Sequence, residues 1–196
     1  MNATRHRIVA ATTELFRQRG YNGTSLHQIT TAADATTGSL YHFFPGGKDQ
    51  LTAEVIATSG EAYRQLFDLI ADAAVDAGSA ITDVFEGAAI VLEETEFIDP
   101  CPIGTVAREV ASTNDELRQI TDAVFNSWIS TAARRFESAG IEPTEAHELA
   151  TTAVAAIEGG FVLSRAARDA GPLRATGRTM RALVDARLAA AVATSH

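Results

Sequence analysis

Apolar residues recur along almost the whole chain at three- and four-residue steps. Nowhere do they alternate singly for long enough to suggest a strand. In the first segment Ile8, Ala11, Leu15 and Phe16 stand at i, i+3, i+7 and i+8, on one helical face. Gly20 is placed to take the left-handed conformation that ends such a helix, and Asn22-Gly23 makes the turn. Ser25 and Gln28 have the spacing of a capping box, in which each side chain satisfies an orphan backbone N–H. Leu26, Ile29 and Ala33 then form the inner face of a second helix. Asp34-Ala35 reads as a short turn, aspartate tolerating left-handed dihedrals better than most residues. Thr36 caps a third helix with Leu40 and Phe43 inward, and Pro45-Gly46-Gly47 stops it.

A long helix is expected from about Lys48 to Ala77, with Leu51, Val55, Leu66, Leu69 and Ile70 facing inward and Gly78-Ser79 ending it. Further helices are expected over 80–97, 103–112, 114–138, 144–169 and 173–193. The breaks between them are Asp99-Pro100-Cys101-Pro102, Asn114, Gly140 to Pro143, and Gly171-Pro172. The pattern predicts an all-α fold of about nine helices. A three-helix domain occupies residues 1–62 and a larger helical domain residues 63–196.

The composition supports a packed chain: 46% of its 196 residues are hydrophobic and 21% charged, outside the range of disordered sequences. The longest clean apolar run, Gly87 to Leu92, lies between Glu86 and Glu93 and falls far short of the ~18 residues a membrane helix needs. The first residues interleave charges at helical spacing and read as structure, not as a signal peptide, so a cytoplasmic location and no membrane association are expected. The single cysteine, Cys101, cannot form an internal disulfide. It reads as a small buried hydrophobe in preference to a redox sensor, because no base lies adjacent in the sequence.

The net charge of −9 argues at first against a nucleic-acid partner, but its distribution argues for one. Arg5, Arg7, Arg17, Arg19 and Lys48 outnumber Glu14, Asp34 and Asp49 in residues 1–50, where His6, His27 and His42 also lie. All the acidic excess falls in the remainder of the chain. The footprint for phosphate is therefore local to the N-terminal quarter.

Two short helices joined by a tight turn, following a supporting helix, have the outline of a helix-turn-helix at about residues 27–46, the second helix entering the major groove. The residues fit double-stranded DNA. Ser25 stands at the start of the first short helix. Thr36, Thr37 and Ser39 place hydroxyls at the start of the second, within reach of base edges and phosphates. Gly38 lets the backbone approach closely. Tyr41 and His42, a turn further on, can donate to phosphate oxygens. Lys48, the only lysine, adds charge at a helix start already suited to phosphate.

The stretch TSLHQITTAADATTGSLYHFFPGGKDQL resembles the DNA-binding signature of the TetR-type transcriptional regulators, with Ile29, Ala33, Gly38, Leu40, Tyr41, Phe44, Lys48 and Leu51 at matching positions. The likeness covers about residues 5–52. Three positions depart from the usual pattern: Asp34 replaces the turn glycine, Ala35 a valine, and Thr36-Thr37 a frequent Ser-Lys pair. FPGGKDQL together with CPIGTVAREVASTNDELR is similar to the LmrA/YxaF-like branch. The resemblance implies an all-helical homodimer whose C-terminal domain binds a small apolar effector and dimerises through its last two helices.

The residues beyond the motif agree with that implication. The segment 144–193 is rich in Ala, Leu and Val and contains Gly159-Gly160, suited to close helix approach across a dimer interface. Aromatic residues gather at 85–97 and 125–136, with Phe161 on another helix, as a cavity for an apolar or aromatic effector requires. Phe67, Phe97, Phe125, Trp128 and Phe161 are the candidate lining residues. Such a molecule would release a repressor from its operator.

No catalytic residue or cofactor site is nominated. GGKD at 46–49 lacks the upstream glycine, the following Ser/Thr and the preceding strand of a phosphate loop. H-E-x-x-H, G-x-S-x-G and C-x-x-C are absent, and the scattered histidines suggest no metal site. A helical binding protein without DNA and an enzyme on a helical scaffold are the competing readings. Salt-dependent duplex binding separates the first of these from a regulator; ligand turnover would mark the second.

Overall fold

A computed structural model describes residues 3–98 and 101–194. Among them every regular element is an α-helix: α1 Ala3–Arg19, α2 Leu26–Ala32, α3 Thr37–Phe43, α4 Gly47–Ala73, α5 Ala77–Glu94, α6 Pro102–Val110, α7 Asp115–Ser138, α8 Pro143–Ala167 and α9 Gly171–Thr194. None is long and apolar enough to cross a membrane. The fold is all-α, with an N-terminal helix-turn-helix and a larger C-terminal helical bundle. Two compact units divide it. One comprises residues up to Ala62 together with Cys101–Val124, and the other Tyr63 to Pro100 together with Phe125 onward. α4 and α7 belong to both by chain continuity.

In the first unit Ile8, Phe16, Ile29, Leu40, Phe44, Leu51, Val55 and Ile56 form the buried core with Ile103, Val106, Val110 and Leu117. The inner face of α1 runs Ile8, Thr12, Phe16, while Ala11 and Leu15 are only half-buried, contrary to the face expected from apolarity alone. Thr12 can be buried because its hydroxyl donates to the Ile8 carbonyl (2.7 Å) and so needs no water. Gly20 ends α1 at φ +72, as its placement predicts. Both bonds of the Ser25–Gln28 capping box are present (2.7 and 3.2 Å). Leu51 and Val55 face inward on α4, but Leu66 and Leu69 are exposed: beyond Gly60 the packed side of the helix is the one carrying Tyr63 and Phe67.

The second unit is built around α5, packed along α9, and α9 on α8. Two glycines permit the close approach. A methyl group on Gly177 would lie 2.6 Å from Phe85 Cβ, and one on Gly160 2.7 Å from Leu173 Cδ2. Two expected breaks shift. α4 ends before Ala74–Asp76, and Gly78-Ser79 belongs to the first turn of α5, because the Asp76 carboxylate caps that helix by accepting the Ser79 N–H (2.6 Å). Likewise the chain turns at Arg168, in the left-handed region at φ +50, and Gly171-Pro172 begins α9. A proline is welcome there, since the first N–H groups of a helix have no partner within it. Of the 99–102 break, Asp99 and Pro100 lie outside the described residues. Cys101 is buried, and its Sγ accepts the Gly104 N–H (3.3 Å) at the start of α6.

Candidate nucleic-acid interface and ligand cavity

The helix-turn-helix is fixed from behind by α1. The chain turns between α2 and α3 with Asp34 at φ +47, the left-handed region where a glycine is commoner. Arg7 holds that turn by donating from Nε to the Ala33 carbonyl (2.9 Å) and from Nη2 to the Asp34 carbonyl (3.0 Å). Arg5 is paired with Glu54 (2.9 Å) and lies 5.3 Å above the Phe44 ring. Both arginines therefore serve the fold of this unit.

Thr36 caps α3: its Oγ1 accepts the Ser39 N–H (3.0 Å) and shares a hydrogen bond with the Ser39 hydroxyl (3.0 Å). Leu40 is fully buried and anchors the helix, while Thr36, Thr37, Gly38, Tyr41 and His42 are exposed along its outer side, with Ser39 half-buried. Around Gly38 a Cβ would meet nothing nearer than Thr36 Oγ1, at 3.8 Å, so the interior of the protein does not require glycine there. The His42 ring meets Phe43 edge-on at 4.9 Å. Ser25, also exposed, spends its side chain on the α2 cap.

Lys48 is not a free cation. Its ammonium group donates to the Tyr21 carbonyl (2.6 Å) and lies 4.0 Å from the centre of the Tyr21 ring. Burial holds its pKa below the usual lysine value, against the opposing pull of Asp49 and Glu109. The Tyr21 hydroxyl donates to Asp49 (2.5 Å), and burial, with that carboxylate, pushes its pKa up to about 12. Asn114 Nδ2 donates to the other oxygen of Asp49 (3.0 Å). Glu109 of α6 accepts the Asn22 N–H (2.6 Å) and lies directly against Gly20. Asp49, Glu109 and Asn114 lie within stretches that carry the family resemblance, but nothing in the spacing of Tyr21, Asp49, Glu109 and Asn114 along the chain signals that they meet.

The second unit contains a cavity of about 410 Å³ between α4, α5, α7 and α8. Phe67, Phe85, Trp128 and Phe136 supply its aromatic wall, Ala71, Ala80, Ala132 and Ala153 its depth, and Asp76, Thr131, Arg135 and Ser138 its polar groups. Phe67 and Trp128 are thus brought together as lining residues, with ring centres 5.7 Å apart and nearly perpendicular. Phe125 backs Trp128 edge-on at 5.5 Å without lining the space. Phe97 and Phe161 do not line it. Phe97 adopts φ +66, its carbonyl accepts from Arg165 (3.1 Å) and its ring lies under Arg168; Phe161 is buried in α8. Phe85 and Phe136 take their place in the wall. Arg135 is held charged chiefly by its hydrogen bonds to Asp68, reinforced by Asp72. Among the described residues no group of three or more His, Cys, Asp and Glu is disposed to hold a metal ion.

Comparison with known proteins accounts for both halves. Residues 8–55 match the family model of bacterial regulatory proteins of the tetR family, and residues 77–179 that of the transcriptional regulator LmrA/YxaF-like C-terminal domain. The HTH-type transcriptional regulator YxaF of Bacillus subtilis is 35% identical over 170 residues, 87% of this chain and 89% of that protein. LmrA of the same organism is 35% identical over 177 residues, covering 87% and 90%. A TetR transcriptional regulator from Chloroflexus aurantiacus superposes with a TM-score of 0.78 at 26% identity, over 93% of this chain and 94% of that one. A likeness of this extent runs through the bundle as well as the helix-turn-helix, and the chain belongs to the TetR family of DNA-binding transcriptional regulators, which are not enzymes.

Proposed function

We propose that the protein is a repressor of the LmrA/YxaF-like branch, bound to its operator as a homodimer and released by a small apolar or aromatic effector. The single observation that carries the DNA reading is the outer side of α3: Thr36, Thr37, Tyr41 and His42 are exposed beside a glycine that no internal contact demands. Thr37 and Ser39 read base edges, while Tyr41 and His42 hold phosphates and Ser25 fixes the start of α2 beside them. Lys48, tied to Tyr21, contributes its charge and fixes the start of α4. The branch assignment rests on the match over residues 77–179 and on the two Bacillus subtilis relatives.

Residues 1–62 carry DNA binding and residues 63–196 effector binding and dimerisation in this reading, with residues 101–124 packed in the same unit as the helix-turn-helix. Dimerisation is supported by Val162, Leu163, Leu183 and Val192, exposed apolar side chains on α8 and α9, and by Gly159, where an added methyl would meet nothing within 4 Å; Gly160 is already used against Leu173. The effector occupies the cavity at Phe67 and Trp128, with Phe125 buttressing the tryptophan. α4 is the lever, since one helix begins beside Tyr41 and carries Phe67 and Ala71 into the cavity wall. An effector preferring the released form tenfold shifts the equilibrium by about 1.4 kcal/mol, so near-complete release needs several kcal/mol of preference.

The test is titration of a labelled duplex from upstream of the protein's own gene at several salt concentrations. A repressor binds it far more tightly than unrelated duplex, with affinity falling as salt rises. Equal affinity for both duplexes at every salt concentration contradicts the proposal.

A further inference from the structure

We infer that the effector of the α4–α5–α7–α8 cavity is an uncharged molecule, largely apolar, carrying a hydrogen-bond acceptor; this rests on the effector reading above. Two features of the wall carry positive charge, and each already has its own carboxylate. The first is Arg135. Its Nε and Nη2 donate to Asp68 Oδ1 (3.1 and 2.7 Å), Nη2 also to the Asp68 carbonyl (3.3 Å), and Nη1 to Asp72 Oδ1 (2.9 Å). Arg64 occupies the other oxygen of Asp68 (2.7 Å). The second feature is the N-terminus of α5, whose residues Ala77 and Ala80 face the cavity and whose dipole would favour an anion. Asp76 caps it through the Ser79 N–H (2.6 Å).

An anionic ligand would have to displace Asp68 or Asp72 from Arg135 and lie against Asp76. A cationic one would face Arg135 and the positive end of α5. An anion only exchanges one partner of Arg135 for another, and a cation finds the nearby carboxylates already engaged, so neither contact offsets taking the ligand's own charge out of water into an apolar space. Apart from Thr131 and the exposed Ser138, whose hydroxyl donates to the Arg134 carbonyl (2.8 Å), the remaining surface is hydrocarbon and aromatic ring. Among the described lining residues, Thr131 is the one buried neutral polar side chain: its Oγ1 accepts from Arg134 Nη2 (3.1 Å), leaving its own hydrogen for an acceptor on the ligand.

Three dyes of similar size test this on the full chain: Nile red, uncharged; 8-anilinonaphthalene-1-sulfonate, an anion; and ethidium, a cation. Quenching of Trp128, the only tryptophan, reports binding, and Ala132→Phe, which fills the cavity, identifies the part of the signal that belongs to it. Nile red is expected to bind at least about tenfold more tightly than either charged dye. In Asp68→Asn/Asp72→Asn, which frees Arg135, binding of the sulfonate is expected to tighten about tenfold, narrowing the gap. Equal or tighter binding of the sulfonate or ethidium to the wild type overturns the inference and leaves the effector reading standing. If Ala132→Phe abolishes no quenching by any dye, both fall. Where circular dichroism shows the double variant unfolded, Asp72→Asn alone, at a largely exposed carboxylate, is expected to give a smaller gain for the sulfonate; the absence of any gain overturns the inference.

Discussion

Gly38→Ala is expected to strengthen the free protein and weaken its complex with DNA. A glycine in a helix costs up to ~1 kcal/mol relative to alanine, because the unfolded chain loses more freedom on folding. Gly38 sits in the first turn of α3, where that cost is smaller, so the gain is about 0.5 kcal/mol. Nothing in the protein opposes it: the added methyl has only Thr36 Oγ1 near it, at 3.8 Å, an ordinary van der Waals contact. Gly60→Ala is the control, because there the methyl would lie 2.6 and 2.8 Å from the two γ carbons of Val124. Overpacking of that kind costs about 1–3 kcal/mol and outweighs the same helical gain. Urea denaturation should therefore move the midpoint of Gly38→Ala slightly up and that of Gly60→Ala down, at unchanged slope. On operator DNA the Gly38→Ala methyl intrudes where backbone and groove meet, and a loss of about tenfold, ~1.4 kcal/mol, is expected. Gly38→Leu, with the same helical circular dichroism, should abolish specific binding. Operator affinity for Gly38→Leu equal to that of the wild type would refute the placement of α3 in the groove, and a lowered urea midpoint for Gly38→Ala would refute the openness of its outer side.

The other predictions concern neighbouring groups. Tyr41→Phe should weaken all duplexes alike and flatten the salt dependence, whereas Thr37→Ala should change the preferred base, each read by titration against a panel of operator variants. Tyr21 is an acid whose pKa is raised on folding, so its contribution to stability is intact below pH 10 and is lost as pH rises toward 12; absorbance titration should show one of the three tyrosines ionising near 12, and Tyr21→Phe should remove that step. Glu109→Ala removes the acceptor of the Asn22 N–H and should destabilise the first unit by about 1 kcal/mol in urea, with no effect if α6 does not hold that turn. Ala132→Phe should leave effector-free operator binding intact while making the protein unresponsive to effector, measured as operator affinity across an effector titration.

What was legible in the sequence was local. Capping and turn chemistry depend on residues a few positions apart, so Ser25–Gln28, the Thr36 cap, the left-handed Gly20 and Asp34, and the run of helices could be read directly. The same rules misplaced two breaks, because a glycine or proline beside a capping aspartate begins a helix as readily as it ends one, as at Gly78 and Gly171. Apolarity alone misjudged Thr12, which hides its hydroxyl on its own helix, and Leu66 and Leu69, which face outward. Composition located the aromatic clusters but not which rings share a space. That depends on helix rotation, which turns Phe67, Phe85, Trp128 and Phe136 to the cavity and leaves Phe97 with Arg165 and Arg168. The pairing of Glu109 with Asn22 and of Asn114 with Asp49 comes from tertiary packing of α6 and the start of α7, for which neither periodicity nor motif gives a signal.

The central claim, that α3 reads a specific operator from two copies of the chain, is tested most directly by nuclease protection on the DNA upstream of the protein's own gene, with wild type and Gly38→Leu side by side. The account predicts that the wild type protects a two-fold symmetric site with half-sites about one helical turn, ~34 Å, or a little more apart. It predicts that protection disappears at high salt and is absent with Gly38→Leu at any salt. Protection of the same site by Gly38→Leu, or protection without symmetry by a chain that stays monomeric on DNA, would contradict it.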